Sequence, residues 1–136
     1  MLRCTRENAS TAISAWIADW FELVAQGRIA EACARLDEPN SYGQRWSPEQ
    51  IVAAVEDTFD PESRFARRHP EGLGFTKPSA AYGNACAHID ELDGESGYWA
   101  EYNVPLNGEF SDLTAQFRFR WVRDRLLASL HDLDVL

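Results

Sequence analysis

Apolar residues change period along this chain, from helical spacing in the first half to alternation in the last third. Ile13, Trp16, Ile17, Trp20, Phe21 and Val24 recur at three- and four-residue steps. That spacing draws one wide apolar stripe on a helix. Ser10 or Thr11 is its expected N-cap, and Gly27 its expected stop, because glycine takes the left-handed conformation that ends helices. Ile29, Ala32, Cys33 and Leu36 predict a second, shorter helix that Pro39-Asn40 ends. The third helix has the strongest start signal. Ser47 stands at the N-cap, Pro48 at N1 and Gln50 at N3, a capping-box pattern. Ile51, Val52, Val55 and Phe59 form its expected buried side, and Pro61 follows its end.

Between residues 60 and 81, Pro61, Pro70, Gly72, Gly74 and Pro78 interrupt every period. A connection this long predicts a short helix or strand of its own, or a lid. Arg64, Arg67, Arg68 and Lys77 concentrate positive charge there. They read as counter-charge to an acidic sheet, with a basic anion-binding loop as the sharper alternative.

From Tyr82 the period is two. Tyr82 to Leu92 predicts a strand, Asp93-Gly94-Glu95-Ser96-Gly97 a hairpin turn, and Tyr98 to Val104 the partner strand. Leu113, Ala115, Phe117, Phe119 and Trp121 alternate with Asp112, Thr114, Gln116, Arg118 and Arg120, giving one buried and one wet face. Asn107-Gly108 predicts a turn before that strand, with Ser111 or Asp112 bonding nearby backbone amides. Arg123-Asp124-Arg125 turns the chain into a last strand around Leu126 to His131. Adjacent Leu126-Leu127 break the alternation there, which predicts a bulge or a strand buried on both faces.

Helices followed by an antiparallel meander make an α+β plan, with three N-terminal helices packed on a curved, cone-shaped antiparallel sheet. No linker, repeat or low-complexity tract divides residues 1–136, so one domain is expected. Element order and the Trp-rich first helix resemble the nuclear transport factor 2-like superfamily. That is the cystatin-like cone fold of ketosteroid isomerases and SnoaL-type cyclases. The run from Pro105 through Leu106-Asn107-Gly108-Glu109-Phe110-Ser111-Asp112-Leu113 to Phe117, with the ending Leu130-His131-Asp132-Leu133-Asp134-Val135-Leu136, resembles an uncharacterised bacterial domain-of-unknown-function family. The first resemblance implies a single nuclear-transport-factor-2-like domain and a homodimer through the exposed sheet face. The second implies a bacterial source. Neither implies one activity, because the superfamily includes enzymes, ligand binders, assembly domains and immunity proteins.

Composition narrows the partners. The 136 residues carry a net charge of −9, which disfavours nucleic acid. From Pro78 to Phe117 there is no Lys or Arg, while Asp90, Glu91, Asp93, Glu95, Glu101, Glu109 and Asp112 fall there. This reads as a solvated face, or as an acidic surface for a basic partner. Cys4, Cys33 and Cys86 lack disulfide or metal-motif spacing. With no signal-peptide pattern at the N-terminus and no run of ~18 apolar residues, a cytoplasmic protein without a membrane segment is expected.

Candidate chemistry is sparse. An isomerase-like site needs a Tyr donor on the first helix and two pocket carboxylates. This helix offers Trp16 and Trp20, with Asp19 off the stripe, and an indole N–H cannot move a proton at neutral pH. The candidate ligand pocket, inside the cone, is Trp16, Trp20, Phe59, His88, Tyr102, Phe117 and Phe119, and the same aromatic rings would equally serve as plain core. His88 would be a general base if it faced inward, and a structural or wet-face histidine otherwise. His131, Asp132 and Asp134 lack a third convergent ligand, so no metal or other cofactor is expected. Glu109 and Asp112 read as loop chemistry rather than an acid/base pair. Arg118 and Arg120 are expected to pair across the sheet with Glu101. These residues predict a binding domain for a small apolar ligand or for a protein partner. The alternatives are an isomerase, dehydratase or cyclase using His88 or a carboxylate, and an immunity-type protein neutralising a basic toxin.

Overall fold

The computed structural model of the chain describes residues 1–80 and 87–136. Within them, α1 (Ala9–Ala25), α2 (Ile29–Ala34), α3 (Pro48–Thr58) and α4 (Arg64–Arg68) follow a short β1 (Leu2–Arg3). Strands β2 (His88–Glu91), β3 (Gly97–Leu106), β4 (Glu109–Val122) and β5 (Arg125–Val135) complete the chain. All five strands form one antiparallel sheet in the order β1-β5-β4-β3-β2. The sheet curls into a cone-like half-barrel, so the α+β plan read from the sequence holds, with α4 as an added helix. Tyr82 to Cys86, the first part of the expected β2, lie outside the described residues.

The apolar stripe of α1 is buried as its spacing requires, with Ile13, Ile17 and Trp20 fully enclosed. The helix starts at Ala9 rather than after Ser10 or Thr11. A Thr5–Asn8 turn brings the chain into helical geometry early, with the Thr5 N–H donating to Asn8 Oδ1 at 2.8 Å. The helix ends in a Schellman motif. Gly27, at φ +78°, donates to the Val24 carbonyl (3.0 Å), and Arg28 donates to the Leu23 carbonyl (2.9 Å). The capping box of α3 forms as read. Ser47 Oγ accepts from the Gln50 N–H (3.2 Å), and Gln50 Oε1 accepts from the Ser47 N–H (2.9 Å). Ile51 and Val55 are buried, but Val52 is exposed, one helical step round from the core.

Two-residue turns and bulges set the sheet register. Asn107 and Gly108 both take positive φ, 51° and 82°, between the paired Leu106 and Glu109. That is the backbone of a tight hairpin whose twist matches its strands. In β3 the register slips between Asn103 and Pro105. A proline has no N–H for the ladder, so it is tolerated at such an irregularity. Ser111 closes the slip by donating to the Val104 carbonyl at 2.7 Å, and Asn103 Nδ2 donates to the Ser111 carbonyl at 2.8 Å. The side-chain bonds therefore go to carbonyls, not to the amides expected. In β5 a bulge occurs at His131, since Gln116 pairs with Asp132 and Phe117 with Leu130, and not at Leu126-Leu127, which pair regularly with Trp121 and Arg120.

β1 covers β5 only at Arg125 and Leu126. Beyond it, the α2–α3 connection takes over the edge. The Asp37 N–H donates to the Ala128 carbonyl, and Asp37 Oδ2 accepts from the Ala128 N–H, both at 2.8 Å. Buried Asn40 reaches the Leu130 and His131 carbonyls through Nδ2. Open backbone groups that would otherwise recruit another strand are thereby satisfied. Among the described residues, no helix is long and apolar enough to cross a membrane.

Gly97 is the tightest backbone position. Its φ is +152°, and a Cβ there would lie 1.9 Å from the Phe119 carbonyl oxygen, whereas Gly94 has open space around it. Gly97→Ala is expected to lower unfolding free energy by at least ~2 kcal/mol, through backbone strain and displacement of β4. Gly94→Ala is expected to lose only about 1 kcal/mol. Urea denaturation of both variants checks this, and equal losses would contradict the close approach.

Candidate functional site

The sequence-derived pocket residues divide into three groups. Trp16, Trp20, Tyr102, Phe117 and Phe119 do meet, but as core. Trp16 lies edge-on to Phe117 and Phe119, with ring centres 5.7 and 5.3 Å apart. Trp20 meets Phe117 at 5.4 Å, and Phe21 stacks on Tyr102 at 5.3 Å. Rings at these distances are in direct contact, so they fill the concave side of the sheet rather than wall an empty space. The Trp20 N–H is spent on structure, donating to the Ala32 carbonyl of α2 at 2.7 Å.

His88 is the clearest departure. Register with Glu101 puts it on the wet face of an edge strand, and its side chain is 71% exposed. Its Nε2 lies 3.2 Å from Asp90 Oδ2. It lines no pocket with the buried rings, because the inward positions of the neighbouring strand belong to Ala100 and Tyr98. Phe59 lies apart from both groups, at the end of α3 against Phe65 (4.8 Å).

Phe59 instead borders a cavity of about 450 Å³ between α3, α4, the 70–75 connection and the end of β3. Val52, Val55, Leu73, Phe75 and Leu106 give it an apolar lining. Glu56 and His69 are its ionisable members. The sequence accounts for the walls piece by piece. Ser63 caps α4 by accepting from the Ala66 N–H (3.2 Å), which starts a helix just after Pro61. That helix buries Phe65 against Phe59 and brings His69 within 5.0 Å of Phe65. The Arg68 guanidinium lies over the Phe65 ring and forks onto Glu109, at 2.7 and 3.2 Å.

Asn107 latches the floor. Its Oδ1 accepts from the Gly74 N–H (2.8 Å), and its Nδ2 donates to the Gly72 carbonyl (2.9 Å) and to Glu71 (3.3 Å). Its own N–H donates to the Gly74 carbonyl (2.9 Å). The turn residue read from Asn107-Gly108 thus holds a distant loop as well as its own hairpin. Phe75 bridges to Leu106, and the Thr76 N–H reaches the Pro105 carbonyl, which completes the join.

His69 is mostly buried, with its side chain 16% exposed. Nδ1 lies 3.2 Å from Glu71 Oε1, and Nε2 lies 3.7 Å from Glu109 Oε2. Nε2 is enclosed yet has no hydrogen-bond partner among the described residues. The Glu71 carboxyl is held below the usual carboxylate range, first by a backbone hydrogen bond and then by His69 and Asn107. Both ring nitrogens of His69 therefore face carboxylates, Glu71 and Glu109.

The remaining candidates disperse. Glu109 is taken by Arg68, while Asp112 is exposed, so they form no acid/base pair. Arg120 forks onto Glu38 at 2.7 and 3.0 Å rather than onto Glu101, and that bond raises its pKa further. Glu101 accepts from Trp99 Nε1 instead (3.1 Å). Asp132 and Asp134 each turn back to the next residue's backbone N–H at 2.8 Å. Among the described residues, no group of three His, Cys, Asp or Glu side chains could hold a metal. Of the four cations read as counter-charge to the sheet, Arg68 meets Glu109 of β4, while Lys77 lies 3.9 Å from Glu22 of α1 instead. Burial raises the Cys4 and Cys33 thiols, and Cys86 lies outside the described residues.

Comparison of the chain with protein-family models, curated proteins and solved structures yields no significant match.

The latch has a measurable consequence. Asn107→Ala should free the 71–74 loop, raising hydrogen exchange at the Gly74 N–H and costing about 1–3 kcal/mol. Because Glu71 is shifted downward, its share of the latch is present above the ordinary carboxylate pKa and is lost as pH falls through the lowered value. Amide exchange at Gly74, followed from neutral to acidic pH in both proteins, checks both statements.

Proposed function

We propose that this chain is a small-molecule-binding domain whose ligand occupies the cavity beneath α3 and α4. The observation that carries this reading is an apolar space of about 450 Å³ bordered by two ionisable side chains, Glu56 and His69. Its volume falls within the ~300–1,000 Å³ range of small-molecule sites. The ligand class is a small apolar body with one polar group, which Glu56 or His69 meets at the wall. Element order and the curled sheet support kinship with the nuclear transport factor 2-like superfamily. In this reading the cavity lies beside the cone instead of inside it.

Binding is tested with 1-naphthol, an apolar body with one hydroxyl, in a two-dimensional NMR titration. Shifts should concentrate at Leu73, Phe75 and Leu106. Leu73→Trp should fill the space and weaken binding at least ~10-fold. Equal binding to wild type and Leu73→Trp would remove the cavity from the function.

A second reading rests on β2. It is an edge of the sheet among the described residues, and Asp90, Glu91, Asp93 and Glu95 are exposed along it and its turn. A basic, extended segment of a partner would add there as a further strand, the mode an immunity-type protein would use. An alternating Lys-Val peptide should bind wild type at low salt and lose affinity at least ~10-fold in the Glu91→Lys, Glu95→Lys variant. Undiminished binding to that variant counts against an acidic docking edge.

A further inference from the structure

The outer face of the sheet carries a second hollow, of about 410 Å³, remote from the α3–α4 cavity in its lining residues. Trp99, Arg118 and Ser129 lie side by side on β3, β4 and β5, in one cross-strand row. The bulge at His131 adds an imidazole to the same face, edge-on to Trp99 at 5.0 Å. Asn40 and Ser41 close one rim, and the β2–β3 turn with Asp93 closes the other.

Arg118 is the group that calls for an explanation. Its neighbour on the same face, Arg120, receives both oxygens of Glu38. Arg118 receives no carboxylate: it forms no ion pair among the described residues, and its Nε is enclosed without a hydrogen-bond partner. This occurs in a chain with 22 acidic and 13 basic residues, where counter-charges are plentiful. The enclosed Nε is out of a ligand's reach, but the terminal guanidinium nitrogens have no carboxylate among the described residues either, and a cation without a counter-charge favours an anionic acceptor from outside the chain.

We propose that this hollow is a carboxylate site, in which Arg118 takes from a ligand what Arg120 takes from Glu38. The guanidinium fork matches a planar carboxylate through two parallel N–H bonds. Trp99 and His131 offer ring surfaces for a flat, apolar body attached to it. Asp93 on the rim adds a negative charge, which favours a monoanion over a phosphate dianion. The ligand class is therefore a planar aromatic or unsaturated monocarboxylate.

The test is an NMR titration of the full chain with benzoate, with benzamide and inorganic phosphate as parallel arms. Benzoate should shift the Trp99 indole N–H and the Ser129 and His131 amides in a saturable way. Benzamide and phosphate should bind at least ~10-fold more weakly, the loss expected when a charge-assisted pair is replaced. Arg118→Met should cut benzoate affinity by a similar factor, and Arg118→Lys, which keeps the charge but loses the fork, by a smaller one. Both variants should bind 1-naphthol like wild type, which separates failure here from failure of the α3–α4 cavity. Equal affinity for benzoate and benzamide, or for benzoate and phosphate, overturns the proposal. So do benzoate shifts that map elsewhere. If Arg118→Met fails to fold, the wild-type comparison of the three probes decides alone.

Discussion

Across the space between α1 and the concave sheet, Trp16 meets Phe117 and Phe119 edge to face, and Trp20 meets Phe117 in the same way. Each such pair contributes roughly 0.5–1.5 kcal/mol beyond the area it buries. Their larger effect is geometric. With α1 seated on β4, the Trp20 indole N–H takes the Ala32 carbonyl, which places α2. The connection after α2 then runs along β5, where Asp37 and Asn40 satisfy its open backbone. Helix α3 follows against the end of the same strand. A curled sheet needs a wedge of this size, and smaller side chains on α1 would leave the concavity unfilled.

Since the concavity is occupied, ligand-sized space is displaced to the margins. Of the hollows among the described residues, one lies where α3, α4 and the 70–75 connection meet the tip of the β3–β4 hairpin, and another lies on the outer face beside the β5 bulge. Both sit where regular pairing is interrupted, at the β3 slip with its hairpin tip and at His131. Irregular pairing exposes side chains and backbone that later segments can close over.

Legibility followed sequence distance. The stripe of α1, the capping box at Ser47 and the Asn107-Gly108 turn were readable because each is decided within a few residues. The pairing of Arg120 with Glu38, 82 positions apart, was not, and Glu101 was the wrong expectation because it is spent on Trp99. His69 escaped notice for the same reason. Its neighbours Glu71, Glu109 and Phe65 come together only when Asn107 holds the 71–74 loop, and no periodicity marks that join. Ser63, one cap ahead of Phe65, was the one local hint of a helix there. Val52 and His88 show a different limit. Each belongs to an element read correctly, but its face depended on a rotation or register that sequence spacing leaves open.

The extra residue at His131 has a consequence beyond bending its strand. A strand assigns inward and outward positions by odd and even count, so core and surface normally constrain each other's spacing. One inserted residue resets that parity. Leu130 and Leu133 can then both serve the core although an odd number of steps separates them. His131 is released from the count and joins the outer face, where its ring meets Trp99 and Tyr42. The bulge thus acts as a seam between two spacing constraints, so that the positions of the outer surface are not dictated by those of the ring cluster beneath.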